Sequence, residues 1–167
     1  MTSVTVNTYT HSVTYVADNI LKSIKDIIKL SGLNPQKFAE NWNVTQRGLA
    51  AWLQSKHLQR VVLEIYNPNT GGLIIRWDLD INYNYGTGDG QFWTDTDQLQ
   101  FAIRKAGVAP SEALYSLLVT RHPGWAAVEG WGNTSFRSTD GFARQSLGST
   151  IDHNGLGASA AYWRKVG

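Results

Sequence analysis

Residues 60–83 read RVVLEIYNPNTGGLIIRWDLDINY, and this stretch decides the fold class. Apolar and polar side chains alternate on both sides of a run of turn-forming residues at 67–72. That pattern predicts a β-hairpin with one buried face. The predicted inward-facing residues are Val61, Leu63, Ile65, Ile75, Trp77, Leu79, Ile81 and Tyr83.

The charged residues of this hairpin predict its register. If Glu64 lies opposite Arg76, then Arg60 lies opposite Asp80. Opposite charges that face each other across antiparallel strands stabilise the pairing, so we expect this alignment. The same pattern predicts that the charged face is in contact with solvent.

Helical periodicity surrounds the hairpin. A wide apolar stripe predicts a long helix before the hairpin. Shorter helices are expected near residues 35–42, 45–53 and 94–106, and a third strand is expected over 113–121. Because strands and helices do not alternate, the order favours an α+β domain with a small antiparallel sheet and about three helices on one face. The stripe of the long helix consists of Val13, Val16, Ala17, Ile20, Leu21, Ile24, Ile27 and Ile28.

Composition limits the protein class. A chain of 167 residues with 42% hydrophobic and 17% charged residues predicts a single globular domain. A net charge of +2 without a basic cluster disfavours a general nucleic-acid binder. The absence of cysteine excludes disulfide scaffolds, thiolate zinc sites and cysteine nucleophiles. Neither a secretory signal nor a long apolar stretch is present, so we expect a cytoplasmic protein that does not enter the membrane.

The last 46 residues, 122–167, have no helical period. They hold six aromatic residues and eight glycines. A long segment of this kind is either functional or disordered, and the aromatic content favours an ordered cover that moves. The core that the pattern identifies lies before residue 122.

Two groups of carboxylates are candidate metal sites. Asp78 and Asp80 project from the same face of a strand, an arrangement that magnesium-dependent nucleotide enzymes use, but no phosphate-binding loop precedes them. Residues 88–90 with Asp95 and Asp97 suggest calcium, but they lack the EF-hand spacing, and helix capping explains the last two better. The four histidines are far apart in sequence. We therefore assign no catalytic residue, metal or cofactor.

Five strings along the chain resemble those of bacterial HORMA-domain proteins. They are YTHSVTYVADNILKS at 9–23, LEIYNP at 63–68, FWTDT at 92–96, RSTDG at 137–141 and QSLGST at 145–150. The resemblance spans nearly the whole chain, in order.

The resemblance implies a single HORMA-like domain over residues 1–167, with a core at 1–121 and a C-terminal "safety belt" at 122–167. In the family the belt closes over a short extended peptide, the closure motif. The strand at 113–121 would then offer its edge to the peptide. The expected peptide-binding residues are Tyr115, Leu117, Val119, Trp131, Phe136, Tyr162 and Trp163.

The resemblance also implies partners. The bacterial members belong to antiphage CBASS-type operons, where they bind a cGAS/DncV-like nucleotidyltransferase and license its synthesis of a cyclic oligonucleotide. A AAA+ ATPase opens the belt, and nucleic acid is a further possible partner of the assembled complex. On this interpretation the protein is a non-catalytic switch; the alternative is a metal-dependent nucleotide enzyme that uses Asp78 and Asp80.

The final aromatic pair carries one further expectation. Tyr162 and Trp163 follow Gly155 and Gly157 in the sequence. We expect the pair to move without disturbing the core, and to lock the closed belt over the peptide.

Overall fold

The computed structural model describes residues 9–86, 91–132 and 135–166. Its four helices and six strands confirm an α+β fold with an antiparallel sheet. The helices are α1 (Tyr9–Leu30), α2 (Gln36–Glu40), α3 (Trp42–Gln54) and α4 (Thr96–Ala106). The strands are β1 (Leu58–Tyr66), β2 (Leu73–Tyr83), β3 (Phe92–Thr94), β4 (Leu114–Arg121), β5 (Phe142–His153) and β6 (Leu156–Lys165).

The six strands form one sheet in the order β3-β5-β6-β2-β1-β4. Every neighbouring pair is antiparallel. In the β1–β2 hairpin Glu64 lies opposite Arg76, and Arg60 lies opposite Asp80. The register predicted from the charge pairs is confirmed.

One face of the sheet packs against the helices. The apolar stripe of α1 is buried between α3, α4 and the sheet, because its residues recur at the three- and four-residue spacing of one helix face. The inward side chains of β1 and β2 form the sheet side of the core, and they include Leu63, Ile65, Trp77 and Leu79. No helix in the described ranges combines the length and hydropathy that a membrane span requires.

The C-terminal hairpin of β5 and β6 also contributes to the core. β6 lies inside the sheet between β5 and β2, and Ile151 and Leu156 are fully buried. Tyr162 is only 2% exposed and its ring centroid lies 4.8 Å from that of Trp77. The expectation that the core ends before residue 122 is therefore wrong. Alternation within β6 was masked in the sequence by small residues, since alanine and glycine give little contrast between faces.

The opposite face of the sheet is not the wet surface that the sequence predicts. Glu64 and Asp78 are both 0% exposed, and Arg76 is also buried. Charged side chains at such positions require partners, because an unpaired buried charge is costly. Arg76 and Asp78 pair with each other, and the C-terminal third of the chain adds Arg137 as the partner of Glu64 and Trp163 as a donor to Asp78.

Tyr162→Ala should destabilise the protein by roughly 3 to 5 kcal/mol, because it removes a buried aromatic ring from the core. Tyr162→Phe should cost only about 1 kcal/mol, since it deletes the 3.0 Å hydrogen bond from the hydroxyl to Gln145 and keeps the ring. Urea unfolding measures both. Equal and small effects would show that the ring contributes little to the core.

Candidate functional site

The long free edge of the sheet is β4. In the described part of the chain β4 has a single neighbour, β1, while the opposite edge strand, β3, is three residues long. In an antiparallel edge strand, alternate N–H and C=O groups point away from the sheet. Eight residues of β4 therefore offer a template for an added strand.

Two adjoining cavities run along this edge, and we call them together the β4 groove. The first has a volume of about 350 Å³ and lies between α2, the start of α3, β4 and Trp131. The second, of about 740 Å³, lies between β4, α2 and the loop after α1. Both are lined by Tyr115 and Lys37, so the two cavities adjoin at these residues.

Tyr115 fixes one wall of the β4 groove. Its hydroxyl donates to the backbone oxygen of Asn34 at 2.8 Å and accepts from the backbone N–H of Phe38 at 3.3 Å. Burial raises the pKa of Tyr115 above the usual value of about 10. The phenol is protonated at neutral pH in either case, and the shift extends its donor role further into alkaline solution. The residue thus ties α2 to β4 while one side of its ring faces the cavities.

Trp131 covers the first cavity. Its indole N–H donates to the backbone oxygen of Val44 at 3.2 Å, and its ring lies edge-on to Trp52, with centroids 5.1 Å apart. Gly48 makes this contact possible, because a Cβ at that position would overlap the indole of Trp131. The glycine in α3 is therefore a packing requirement of the cover.

Trp131 belongs to the β4–β5 connection, residues 122–141, which joins the two strands. The connection is first held on the helical side of the sheet, where the Trp52 indole donates to the backbone oxygen of Ala126 at 2.7 Å. Arg121 lies between the rings of Trp52 and Trp125, at 4.6 and 4.4 Å from their centroids. Before residue 133 the connection thus follows α3.

After residue 134 the connection contacts the other face of the sheet. The backbone N–H and the guanidinium of Arg137 each donate to the buried Glu64 carboxylate at 2.7 Å. Arg137 also donates to the backbone oxygen of Gly71 at 3.1 Å, and its guanidinium lies 3.4 Å from the ring centroid of Tyr66. The connection is therefore anchored on both sides of the sheet, next to β4.

The aspartates of the metal hypothesis are already paired with arginines. Arg76 donates to Asp78 at 2.7 Å, and the indole of Trp163 donates to the same carboxylate at 3.0 Å. Asp80 forms ion pairs with Arg60 and with Arg144. Guanidinium groups occupy the oxygen atoms that a magnesium ion would need. Among residues 9–86, 91–132 and 135–166, no group of three or more His, Asp or Glu is placed to hold a metal ion.

The calcium hypothesis rests on residues 88–90, which lie outside the described residues. The capping explanation for its other members holds in part. Asp95 accepts a hydrogen bond from the backbone N–H of Gln98 at 3.0 Å and caps α4, while Thr94 ends β3. Asp97 lies in the first turn of α4, where the helix dipole favours a negative charge.

The predicted peptide-binding residues do not all meet at one place. Tyr115, Leu117 and Trp131 line the β4 groove, and Val119 follows on the same face of β4. Phe136 lies on the opposite face of the sheet, over Arg76.

Tyr162 and Trp163 lie on β6, which is separated from β4 by β2 and β1. The expectation that this pair moves without disturbing the core is wrong for Tyr162, because its ring is part of the core. Trp163 faces the other side of the sheet and contacts Asp78 and Arg76.

Three residues of the site escaped the sequence analysis: Gly48, Glu64 and Arg137. The sequence predicts a solvated charge pair between Glu64 and Arg76, because cross-strand pairing alone shows no third partner. The one available signal was a glycine in the middle of a helical pattern, which lowers helix stability and so points to a packing reason.

The whole chain matches one family model, and known structures share its architecture. Residues 1–166 match the model described as Bacterial HORMA domain 2. The chain belongs to this bacterial HORMA family. A comparison with curated proteins finds no match.

HORMA structures from different organisms are similar to this chain. C. elegans HTP-2 bound to the HIM-3 closure motif matches with a TM-score of 0.63 and 12% identity, over 92% of this chain and 87% of that chain. The E. coli MS115-1 CdnC:HORMA-deltaN complex matches with a TM-score of 0.62 and 11% identity, over 99% of this chain and 94% of that chain. A chain of the mitotic checkpoint complex matches with a TM-score of 0.62 and 12% identity, over 80% of this chain and 76% of that chain. At these identities the likeness establishes the HORMA fold.

Gly48→Ala should loosen the cover of this HORMA domain although it improves the helix. Alanine is about 1 kcal/mol more favourable than glycine inside a helix, but its Cβ would displace Trp131. Hydrogen exchange of residues 125–132 should become faster while helical circular dichroism is unchanged. Ala51→Gly, at an exposed position of α3, is the control and should leave the connection unaffected. Unchanged exchange in Gly48→Ala would contradict the packing role.

Asp78→Asn should destabilise the domain by roughly 3 to 5 kcal/mol, because it leaves buried Arg76 without its ionic partner. Asp80→Asn should cost at most about 1 kcal/mol, since that side chain is 30% exposed. Denaturant unfolding of the two variants measures the difference. Similar small losses would restore the solvated face that the sequence predicts.

Proposed function

We propose that this HORMA domain is a non-catalytic switch that binds an extended peptide as an added strand on β4. The observation that carries the proposal is the free edge of β4, bordered by a groove whose first cavity is lined by Trp131. Strand addition satisfies the outward backbone groups of β4 for any sequence, while the groove supplies side-chain selectivity. Residues 1–121 would form the core and residues 122–167 the safety belt.

The groove favours a peptide with an apolar side chain. Phe38, Val44, Leu117 and Trp131 give the first cavity an apolar wall. The amide of Asn41 and the hydroxyl of Thr45 are bonded to backbone oxygens of their own helices, so they reinforce the wall rather than await a ligand. A peptide strand beside β4 would point alternate side chains into this cavity.

The structural neighbours support this direction. C. elegans HTP-2 is bound to the HIM-3 closure motif, and the E. coli complex pairs a HORMA protein with CdnC. We propose that this chain likewise acts in the cytoplasm with a cGAS/DncV-like nucleotidyltransferase, whose cyclic-oligonucleotide synthesis it licenses in antiphage defence. A AAA+ ATPase would open the belt again, and nucleic acid would be a further partner of the assembled complex.

The surroundings of Asp78 and Asp80 do not favour the enzyme alternative. The oxygen atoms of Asp78 and Asp80 are engaged by arginines and by an indole. A magnesium ion would have to displace these partners from a carboxylate that is fully buried. We therefore favour the binding function over nucleotide chemistry.

Selection from a phage-displayed library of linear peptides tests the proposal. The wild-type protein should enrich a shared sequence, and Trp131→Ala should weaken binding of the selected peptide at least about tenfold, the effect of losing an aromatic anchor. Trp93→Ala is the matched control, because Trp93 is a half-exposed tryptophan on the opposite edge strand. It should bind within about twofold of wild type.

Two outcomes would contradict the proposal. One is a library that enriches no shared sequence on a folded protein, and the other is an equal loss of binding in both tryptophan variants. The first result would show that the protein does not bind linear peptides, and the second would show that the peptide does not bind at β4.

A further inference from the structure

We propose that Arg137 and Arg76 are alternative partners of the buried carboxylate of Glu64, and that exchange between them releases the β4–β5 connection. The inference rests on the proposed function, because it describes how the β4 groove opens. It assigns positioning roles to residues that do not line the groove.

In the structure Arg137 donates two hydrogen bonds to Glu64, one from its backbone N–H and one from its guanidinium, both at 2.7 Å. Glu64 has no exposed surface, whereas the side chain of Arg137 is 28% exposed. Charge-assisted hydrogen bonds of this length are among the strongest polar contacts in proteins. Glu64 is thus a fixed acceptor inside the sheet, and Arg137 is the movable donor.

Arg76 is the neighbour that can replace Arg137. It lies directly opposite Glu64 on β2, where facing residues of antiparallel strands have Cβ atoms about 5 Å apart. Its guanidinium now donates to Asp78 and lies 4.7 Å from the ring centroid of Phe136. Arg137 and Phe136 thus each contact one member of this cross-strand pair, while Asp78 holds the Arg76 guanidinium.

The exchange leaves no buried charge alone. When residues 136 and 137 withdraw, Arg76 can rotate toward Glu64, which would otherwise remain an unpaired carboxylate at high cost. Asp78 keeps the hydrogen bond from Trp163 and the Arg60 guanidinium at 3.8 Å. The face thus has a second charge pairing, in which Arg76 replaces Arg137 at Glu64 while Arg60 and Trp163 stay with Asp78. An element with two alternative arrangements of this kind can act as a switch.

Hydrogen exchange of the isolated, peptide-free protein tests the exchange of partners. Arg137→Met should accelerate exchange in the described parts of residues 122–141 by about tenfold to a hundredfold, the effect of losing charge-assisted hydrogen bonds. Arg76→Met should instead slow opening severalfold, because Glu64 then has no second partner when the connection leaves. Arg144→Met is the control, since Arg144 pairs with Asp80 on the same face. This variant should leave the exchange rate of residues 122–141 unchanged.

The signs of these effects decide the proposal. If Arg76 merely supports Phe136, Arg76→Met will speed opening, and the exchange of partners is overturned. Unchanged exchange in Arg137→Met would overturn the latch itself. Should Arg76→Met fail to fold, Arg76→Lys answers the same question: a lysine donates from one point rather than from a fork, so opening should still be slower than in wild type.

Glu64→Gln provides an independent check. The amide still accepts from Arg137 but carries no charge, so opening should be faster and should no longer respond to Arg76→Met. A response that persists in this background would contradict the proposal. None of these measurements uses a peptide, so a failed latch leaves peptide binding at β4 to be decided by the library selection.

Discussion

The structure depends on the pairing of β6 with β2. Because β6 occupies that side of the central hairpin, the C-terminal strands lie inside the sheet and β4 keeps a free edge at the far side. The connection from β4 to β5 must then run from the edge strand β4 to the opposite end of the sheet, where β5 lies. It is held by Trp52 and Val44 on the helical side and by Glu64 on the opposite face. The groove, its cover and its anchor all follow from this one constraint.

The two faces of the sheet have different tasks. The helical face is an apolar core that α1 closes, and it provides the stability of the domain. The opposite face is a layer of paired charges, in which Glu64, Arg76 and Asp78 are buried. An apolar layer would hold the connection by area alone, whereas paired charges hold it at specific points. Such contacts can be exchanged one for another, which is what the proposed opening of the connection requires.

The sequence predicts the central hairpin well and the C-terminal strands poorly, for physical reasons. Cross-strand charges and strict alternation defined the register at residues 60–83, and helix α1 carried a full apolar stripe. In β6 the alternation is between alanines, glycine and serine, so composition does not distinguish the buried face. Burial of Glu64 and Asp78 could not be inferred, because the residues that cover them lie at least 70 positions later in the chain. The edge strand of the site was predictable, whereas its cover and anchor required the tertiary structure.

The central claim is that β4 receives an added strand, and amide exchange at single-residue resolution tests it most directly. Nuclear magnetic resonance of the protein with and without a selected peptide would report each amide of residues 114–121. The account predicts strong slowing at alternate positions of β4, those whose N–H groups point away from β1. Saturating peptide with unchanged β4 amides, or with protection confined to β3, would contradict it.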